Sequence, residues 1–184
     1  MNRTVPLLVA CMLASCNIIP SRNPTSEPIV VITGTTLDGT RIDIPRDLSD
    51  ANKPSSAPTI LLIAYQRDAQ FDADRWRLGL DELGVKCRVL LVHAIPSTFG
   101  VLLSPVLTHD LAQKFALSEH AMILPLTGES ADRLATQTGM GRAQFAHVVV
   151  IAADGRIIYA CDEGYCAERV QALTLMTAST NAQP

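Results

Sequence analysis

Three groups of residues in this 184-residue chain carry atoms able to do chemistry. The first is Cys161-Asp162-Glu163-Gly164-Tyr165-Cys166, in which two thiols flank a glycine. Gly164 lets the chain fold back and bring the sulfurs within disulfide reach, with Cα atoms roughly 4.4 to 6.8 Å apart. A structural bridge is the preferred reading, contributing on the order of 2 kcal/mol at most because so short a loop removes little unfolded-state entropy. Redox exchange is the sharper alternative, since Cys166 at a helix N-terminus would hold a stabilised thiolate. A copper or zinc site with His147 is a third reading, but two Cys and a lone His lack ligand spacing, so no metal is expected. The second group is Gln66, Arg67, Asp68 and Gln70, which offer amide, guanidinium and carboxylate groups just after an apolar run. The third is Cys16, at the exit of a short apolar run.

Met1-Asn2-Arg3, the apolar stretch Val5 to Ala14 and the small residues before Cys16 form a signal-peptide layout. The stretch falls short of the roughly 20 residues that cross a bilayer, so cleavage is expected rather than a spanning anchor. Leu13-Ala14-Ser15-Cys16 resembles the bacterial lipobox. That resemblance implies diacylglycerol on the Cys16 sulfur, cleavage before it and a further acyl chain on the new amine. Each buried methylene contributes ~0.8 kcal/mol, and stable anchoring takes at least two chains, which this modification supplies. Asn17 stands where an Asp would resemble an inner-membrane retention signal, so the periplasmic face of the outer membrane is the expected location.

The formal charge is −3, and losing Arg3 with the signal makes the mature chain more acidic, so a nucleic-acid partner is not indicated. A hydrophobic share of 48% argues for a packed core. Of the five cysteines, Cys11 leaves with the signal and Cys16 goes to lipid, which leaves Cys87, Cys161 and Cys166 in an oxidising compartment. Cys87 reads as a small buried hydrophobe on a strand. His93, His109 and His120 are scattered, with surface or capping roles expected.

The elements that position these groups follow from pattern. Residues 1–15 are the signal, 16–28 a proline-rich lipidated tether, 29–178 the domain and 179–184 a disordered tail. Ile29 to Ile32 and Arg41 to Ile44 flank Asp38-Gly39, a hairpin turn signal. Pro45 to Pro58 reads as a surface loop. Thr59 to Tyr65 is a continuous apolar run, as in a strand covered on both faces. Asp72 is expected to cap a helix with Trp76, Leu80 and Leu83 on its buried face, ended by Gly84. A second strand follows from Val85 to Leu91, then a helix from Ser104 or Thr108 and another from Ser130 to Gly139. A hairpin of His147 to Ala153 and Arg156 to Ala160 turns at Asp154-Gly155, and a last helix spans Cys166 to Met176.

This order resembles the thioredoxin-like fold, an α/β sandwich with a mixed sheet, and the added N-terminal β-hairpin resembles that of the peroxiredoxin and cytochrome-maturation branches. In thioredoxin-like oxidoreductases the nucleophilic Cys follows the first core strand at a helix N-terminus. Here Tyr65-Gln66-Arg67-Asp68-Ala69-Gln70-Phe71-Asp72 contains no sulfur, and Gln144-Phe145-Ala146-His147 lacks the family's cis-proline. Both absences speak against dithiol or peroxide chemistry there. The copper-delivery proteins of cytochrome oxidase assembly have a related fold, but their cysteines also follow that strand. Arg67, Gln70 and Trp76, then Asp154-Gly155-Arg156, then Gly164 to Leu173 resemble the mitochondrial ATP synthase assembly factor family, a thioredoxin-like domain without a dithiol. Ile157 stands where that family has Trp, and Gly164-Tyr165-Cys166-Ala167-Glu168 matches its helix start only roughly. The resemblance covers about a third of the chain.

The expectation is a non-catalytic binding or assembly module without cofactor. Its binding candidates are Gln66, Arg67, Asp68 and Gln70, at a strand's carboxyl end where open α/β sheets bind ligands. A solvated Arg67–Asp68 pair and a backbone-capping Gln70 are the plainer reading of the same residues. The partner would be an envelope protein; the alternative is a thiol-disulfide oxidoreductase using Cys161 and Cys166.

Overall fold

The structure, a computed structural model, describes residues 19–48, 57–96 and 98–181. The signal segment and Cys16 lie outside the described residues. Five strands form one sheet in the order β5-β4-β3-β6-β7: β3 (Thr59–Ala64), β4 (Arg88–Ile95), β5 (Ile123–Thr127), β6 (His147–Ile151) and β7 (Ile157–Cys161). The pairs β3–β4 and β4–β5 are parallel, while β3–β6 and β6–β7 are antiparallel. A separate hairpin pairs β1 (Ile32–Thr35) with β2 (Arg41–Ile44) around Gly39, whose φ of 88° suits the turn.

Every residue of β3 is buried, because helices cover both faces of the sheet. One face packs Ile60, Leu62, Val148 and Val150 against Trp76 and Leu80 of α1 (Arg67–Glu82) and Val170 and Leu173 of α4 (Ala167–Asn181). Each such side chain, fully buried, contributes about 1.5–3 kcal/mol. The other face packs Leu61, Ile63, Leu90 and Val92 against the hairpin's Ile32, Ile42 and Ile44 and against Leu134 of α3 (Gly128–Thr138). Leu111 of α2 (Thr98–Lys114) and Phe115 just after it cover Leu91 and Ile123.

Several boundaries differ from the sequence-based expectation. The tether expected over 16–28 is, from Ile19 on, held against the domain. Ile19 O accepts from Met140 N at 3.2 Å, Ser26 N donates to Ile157 O at 2.7 Å, and Ile157 N donates to Glu27 O at 2.9 Å. Prolines remove helix options but leave these carbonyls free to pair. Pro28 O also accepts from Gln137 Nε2 at 2.8 Å, and Val30 N donates to Gln137 Oε1 at 2.9 Å. Helix α4 continues to Asn181, past the expected domain end at 178. Strand β5 has no counterpart among the expected elements; its Pro125 lies at the sheet edge, where a missing N–H is tolerated. Helix α2 begins at Thr98 and runs through Pro105, where the sequence suggested a start at Ser104 or Thr108.

Asp72 is not a cap. Helix α1 starts five residues earlier, and Asp72 is a buried carboxylate on its inner face. It accepts from Ala146 N at 3.0 Å and from Tyr165 N at 2.9 Å, tying the entries of β6 and α4 to α1.

Candidate functional site

The ends of β3 and β4 open into a cleft of about 750 Å³. Gln66, Arg67 and Gln70 line it from α1, His93 and Ile95 from β4, and Asp110, Gln113 and Lys114 from α2. Three of the four expected binding residues therefore converge; Asp68 does not line the cleft, and it is exposed. These residues do not form a loop. Gln66 is the N-cap of α1, with no side-chain cap hydrogen bond, and Arg67 is its first residue. No ion pair joins Arg67 to Asp68, and the Gln70 side chain caps no backbone group among the described residues.

His93 forms the floor, buried at 3% exposure. Neither ring nitrogen has a hydrogen-bond partner among the described residues. Burial first, and then the Lys114 charge, pull its pKa down to about 4, so the ring is neutral at pH 7. Its ring lies 5.9 Å from that of Phe115. The expectation of a surface or capping role for His93 is thus corrected. The signal was present in Val89-Leu90-Leu91-Val92-His93-Ala94-Ile95, where one titratable residue interrupts an apolar run. His120 Nε2 instead meets Phe115 O at 3.2 Å, and His109 Nε2 meets Gln113 Nε2 at 2.9 Å.

Tyr65 follows β3 and forms a wall of the cleft. Its hydroxyl pairs with Thr138 Oγ1 at 2.7 Å, and its ring stands edge-on to His147 at 5.1 Å. Burial raises the Tyr65 pKa, so the phenol keeps its proton. Burial lowers that of His147, against the Asp162 charge and backbone hydrogen bonds at Arg142 and Thr138.

Among the described residues no cysteine lines the cleft. Cys161 and Cys166 lie across β6, and the bridge expected between them is not formed: Cys87, Cys161 and Cys166 are all free thiols. Cys161 packs on the apolar cluster beneath α1 and α4, whereas the Cys166 thiol donates to the Glu168 carboxylate. Between them Gly164, with φ 81°, and the Tyr165 N–H held by Asp72 set the course of the turn. Cys87 is half-buried beside the same cluster, and burial pushes its thiol pKa up. Among the described residues no group of three or more His, Cys, Asp or Glu is placed to hold a metal, so His147, Cys161 and Cys166 do not assemble into one.

Trp76 and Leu80 are buried, as their helical spacing implied, with Tyr165 edge-on to Trp76 at 6.0 Å, but Leu83, expected on the same face, is exposed at the helix C-cap. The cis-proline position of thioredoxin-like proteins falls near Ala146. Its N–H donates to Asp72, a bond that proline could not make. Among the described residues no helix is long and apolar enough to cross a membrane.

No family model and no curated protein sequence matches the chain. Solved structures do. Copper-bound yeast Sco1 superposes with a TM-score of 0.54 at 14% identity, over 82% of this chain and 92% of that one. The exposed lipoprotein thioredoxin Etrx1 of Streptococcus pneumoniae gives 0.53 at 13% identity, over 80% and 99%. BsSco, a member of the Sco family of cytochrome c oxidase assembly proteins, gives 0.55 at 12% identity, over 89% and 99%. Identities this low speak for architecture alone. With a mixed five-stranded sheet between helices, a cleft at the end of its central strand and an added N-terminal hairpin, the chain has a thioredoxin-like fold.

Proposed function

We propose that this chain is a lipid-tethered, thioredoxin-like module of the bacterial cell envelope that binds another envelope protein through the cleft at the end of β3 and is not an enzyme. The observation that carries this reading is the cleft's lining. Where thioredoxin-like oxidoreductases keep a sulfur nucleophile, Gln66, Arg67 and Gln70 surround a roomy cleft with no cysteine among its described lining residues. A thiolate is the reacting group in disulfide exchange, so its absence from the lining removes that chemistry from the cleft. The lipobox-like Leu13 to Cys16 supports tethering, and Asn17 supports the outer membrane. The pattern of Arg67, Gln70 and Trp76, similar to the ATP synthase assembly factor family, supports an assembly role. The fold shared with a Sco-family assembly protein supports the same role, and that shared with an exposed lipoprotein supports tethering.

The competing reading, thiol-disulfide exchange through Cys161 and Cys166, has both thiols near one turn in its favour. Against it, the two are engaged separately, one on the apolar cluster and one on Glu168. Capture of partners by the full-length chain from detergent-solubilised membranes tests the proposal. Wild type should retain a specific protein that Arg67→Ala loses; an unchanged set of partners removes the docking role. Reduction of insulin disulfides at enzymatic rates would overturn the non-catalytic reading. Incorporation of labelled palmitate that survives Cys16→Ala would overturn tethering at that residue.

A further inference from the structure

Resting on the docking role proposed for the cleft, we infer that its floor is a receptor for a single carboxylate, supplied by the C-terminus of a polypeptide partner or by a small organic acid with an apolar body. The argument begins at His93, which is 3% exposed with both ring nitrogens unpartnered. Leaving a buried polar group unsatisfied costs about 1–3 kcal/mol. Its neighbours Leu90, Leu91, Val92 and Ala94 show that this strand otherwise takes apolar residues, and one more would carry no such cost. A neutral imidazole carries one N–H, so a donor with no acceptor among the described residues lies buried at the floor.

The cleft mouth has a second set of free donors. Gln66 provides no side-chain cap, so the first amides of the 16-residue helix α1 are open beside it. Arg67 lines the cleft with no ion-pair or side-chain hydrogen-bond partner among the described residues. Gln70 adds an amide on the same wall.

Charge decides which anion fits. Lys114 is shared with Asp74 at 3.3 Å and lies over the rings of Phe71 and Phe115, at 5.8 and 5.0 Å. Asp110 also lines the cleft, placing a negative charge at its rim. Arg67 is left as the uncommitted cation. One guanidinium with neutral donors matches a monoanion better than a phosphate carrying about −1.5 to −2. Tyr65, Ala94, Ile95, Leu107 and Leu111 supply apolar wall, so the cleft accommodates a body behind the acid.

The test uses the full-length chain with ring-labelled histidine in detergent micelles, following the His93 resonances assigned from His93→Phe. Four probes are titrated: hexanoate, a tripeptide with a free C-terminal carboxylate, the same tripeptide amidated, and inorganic phosphate. A saturable shift of His93 is expected with hexanoate or the free tripeptide, weakened about tenfold or more in Arg67→Ala. Tighter binding of the tripeptide assigns the site to a chain terminus, and tighter binding of hexanoate to a small acid. The inference is overturned if neither carboxylate moves His93, or if the amide or phosphate binds as tightly. It is also overturned if His93→Phe, read by calorimetry, keeps wild-type affinity. Arg67 is exposed, so Arg67→Ala provides a folded comparison even where His93→Phe does not. Partner capture reads the docking role separately. Carboxylate binding with capture indifferent to Arg67→Ala keeps this site and removes the protein client, and the converse removes this site and keeps the client.

Discussion

Two regions sit at one end of the sheet on either side of β6, the strand whose His147 pairs with Ile63 of β3 and whose Val148 pairs with Cys161 of β7. Toward β4 lies the cleft; toward α4 lies the turn of Cys161 to Cys166. Among the described residues the cleft has a helix start without a side-chain cap, an unpartnered Arg67 and a buried imidazole with no hydrogen bond. The turn is tied down. Asp72 holds the Tyr165 N–H, Arg169 donates to Gly164 O at 3.2 Å and pairs with Glu163, and Arg142 meets Glu163 at 3.2 Å. Exposed pairs of this kind add little energy, but the buried Asp72 adds much. Both regions keep a buried polar atom without a partner among the described residues, Asp162 Oδ2 in the turn and the His93 nitrogens at the cleft, but only the cleft adds an uncapped helix start and an unpartnered guanidinium. Binding capacity follows these open groups, since a ligand can supply only what the protein leaves open.

The sharpest way to break this contrast is to remove the tie. Asp72→Ala leaves two N–H groups, one of them buried, without a charged acceptor and should cost about 4 kcal/mol in urea unfolding. A loss below about 1 kcal/mol would show that the turn does not depend on Asp72.

Next comes pH. His93 has its pKa depressed to about 4 in the folded state, against about 6.5 unfolded, so the unfolded chain binds the extra proton between those values. Its contribution is complete above about pH 6.5 and is lost as pH falls toward 4, on the order of 3 kcal/mol in all. His147, shifted the same way, adds to the loss. Urea midpoints between pH 7 and 4 should fall for wild type and fall less for His93→Phe; equal slopes would remove His93 as the cause.

Gly164→Ala probes the turn more gently. Its φ is 81°, and an added Cβ would stand 2.9 Å from Phe145 Cδ1. A cost of about 2 kcal/mol is expected, read by thermal unfolding, with partner capture intact. Loss of capture without loss of stability would join the turn to the binding surface. The smallest effect belongs to Cys166→Ser, which should change stability by about 0.5 kcal/mol or less and leave capture unaltered. A large effect on capture would revive the exchange reading.

Local pattern was enough for much of the fold. The apolar run at 59–65, the turn signals at Asp38-Gly39 and Asp154-Gly155, and the spacing of Trp76 and Leu80 are short-range consequences of burial and backbone preference, and each corresponds to an element or a core face. The absence of sulfur after β3 could likewise be read directly. Local pattern failed where partners are distant in sequence. Asp72 has the look of an N-cap, and only the approach of Ala146 and Tyr165, 74 and 93 positions away, makes it a buried acceptor. Strand β5, which contains Pro125, was missed altogether, and the sheet order alone places it at an edge.

Sequence alone established most of the element types, the buried run of β3, the inward face of Trp76 and Leu80 and the sulfur-free end of β3, because each depends on neighbours a few residues apart. Tertiary structure decided that Arg67 and His93 share a cleft, that residues 19–28 pack on the domain, and that Cys161 and Cys166 face different surroundings. The physical reason is that periodicity records which side of an element is buried. What a buried polar group meets is set by which elements the sheet order brings together.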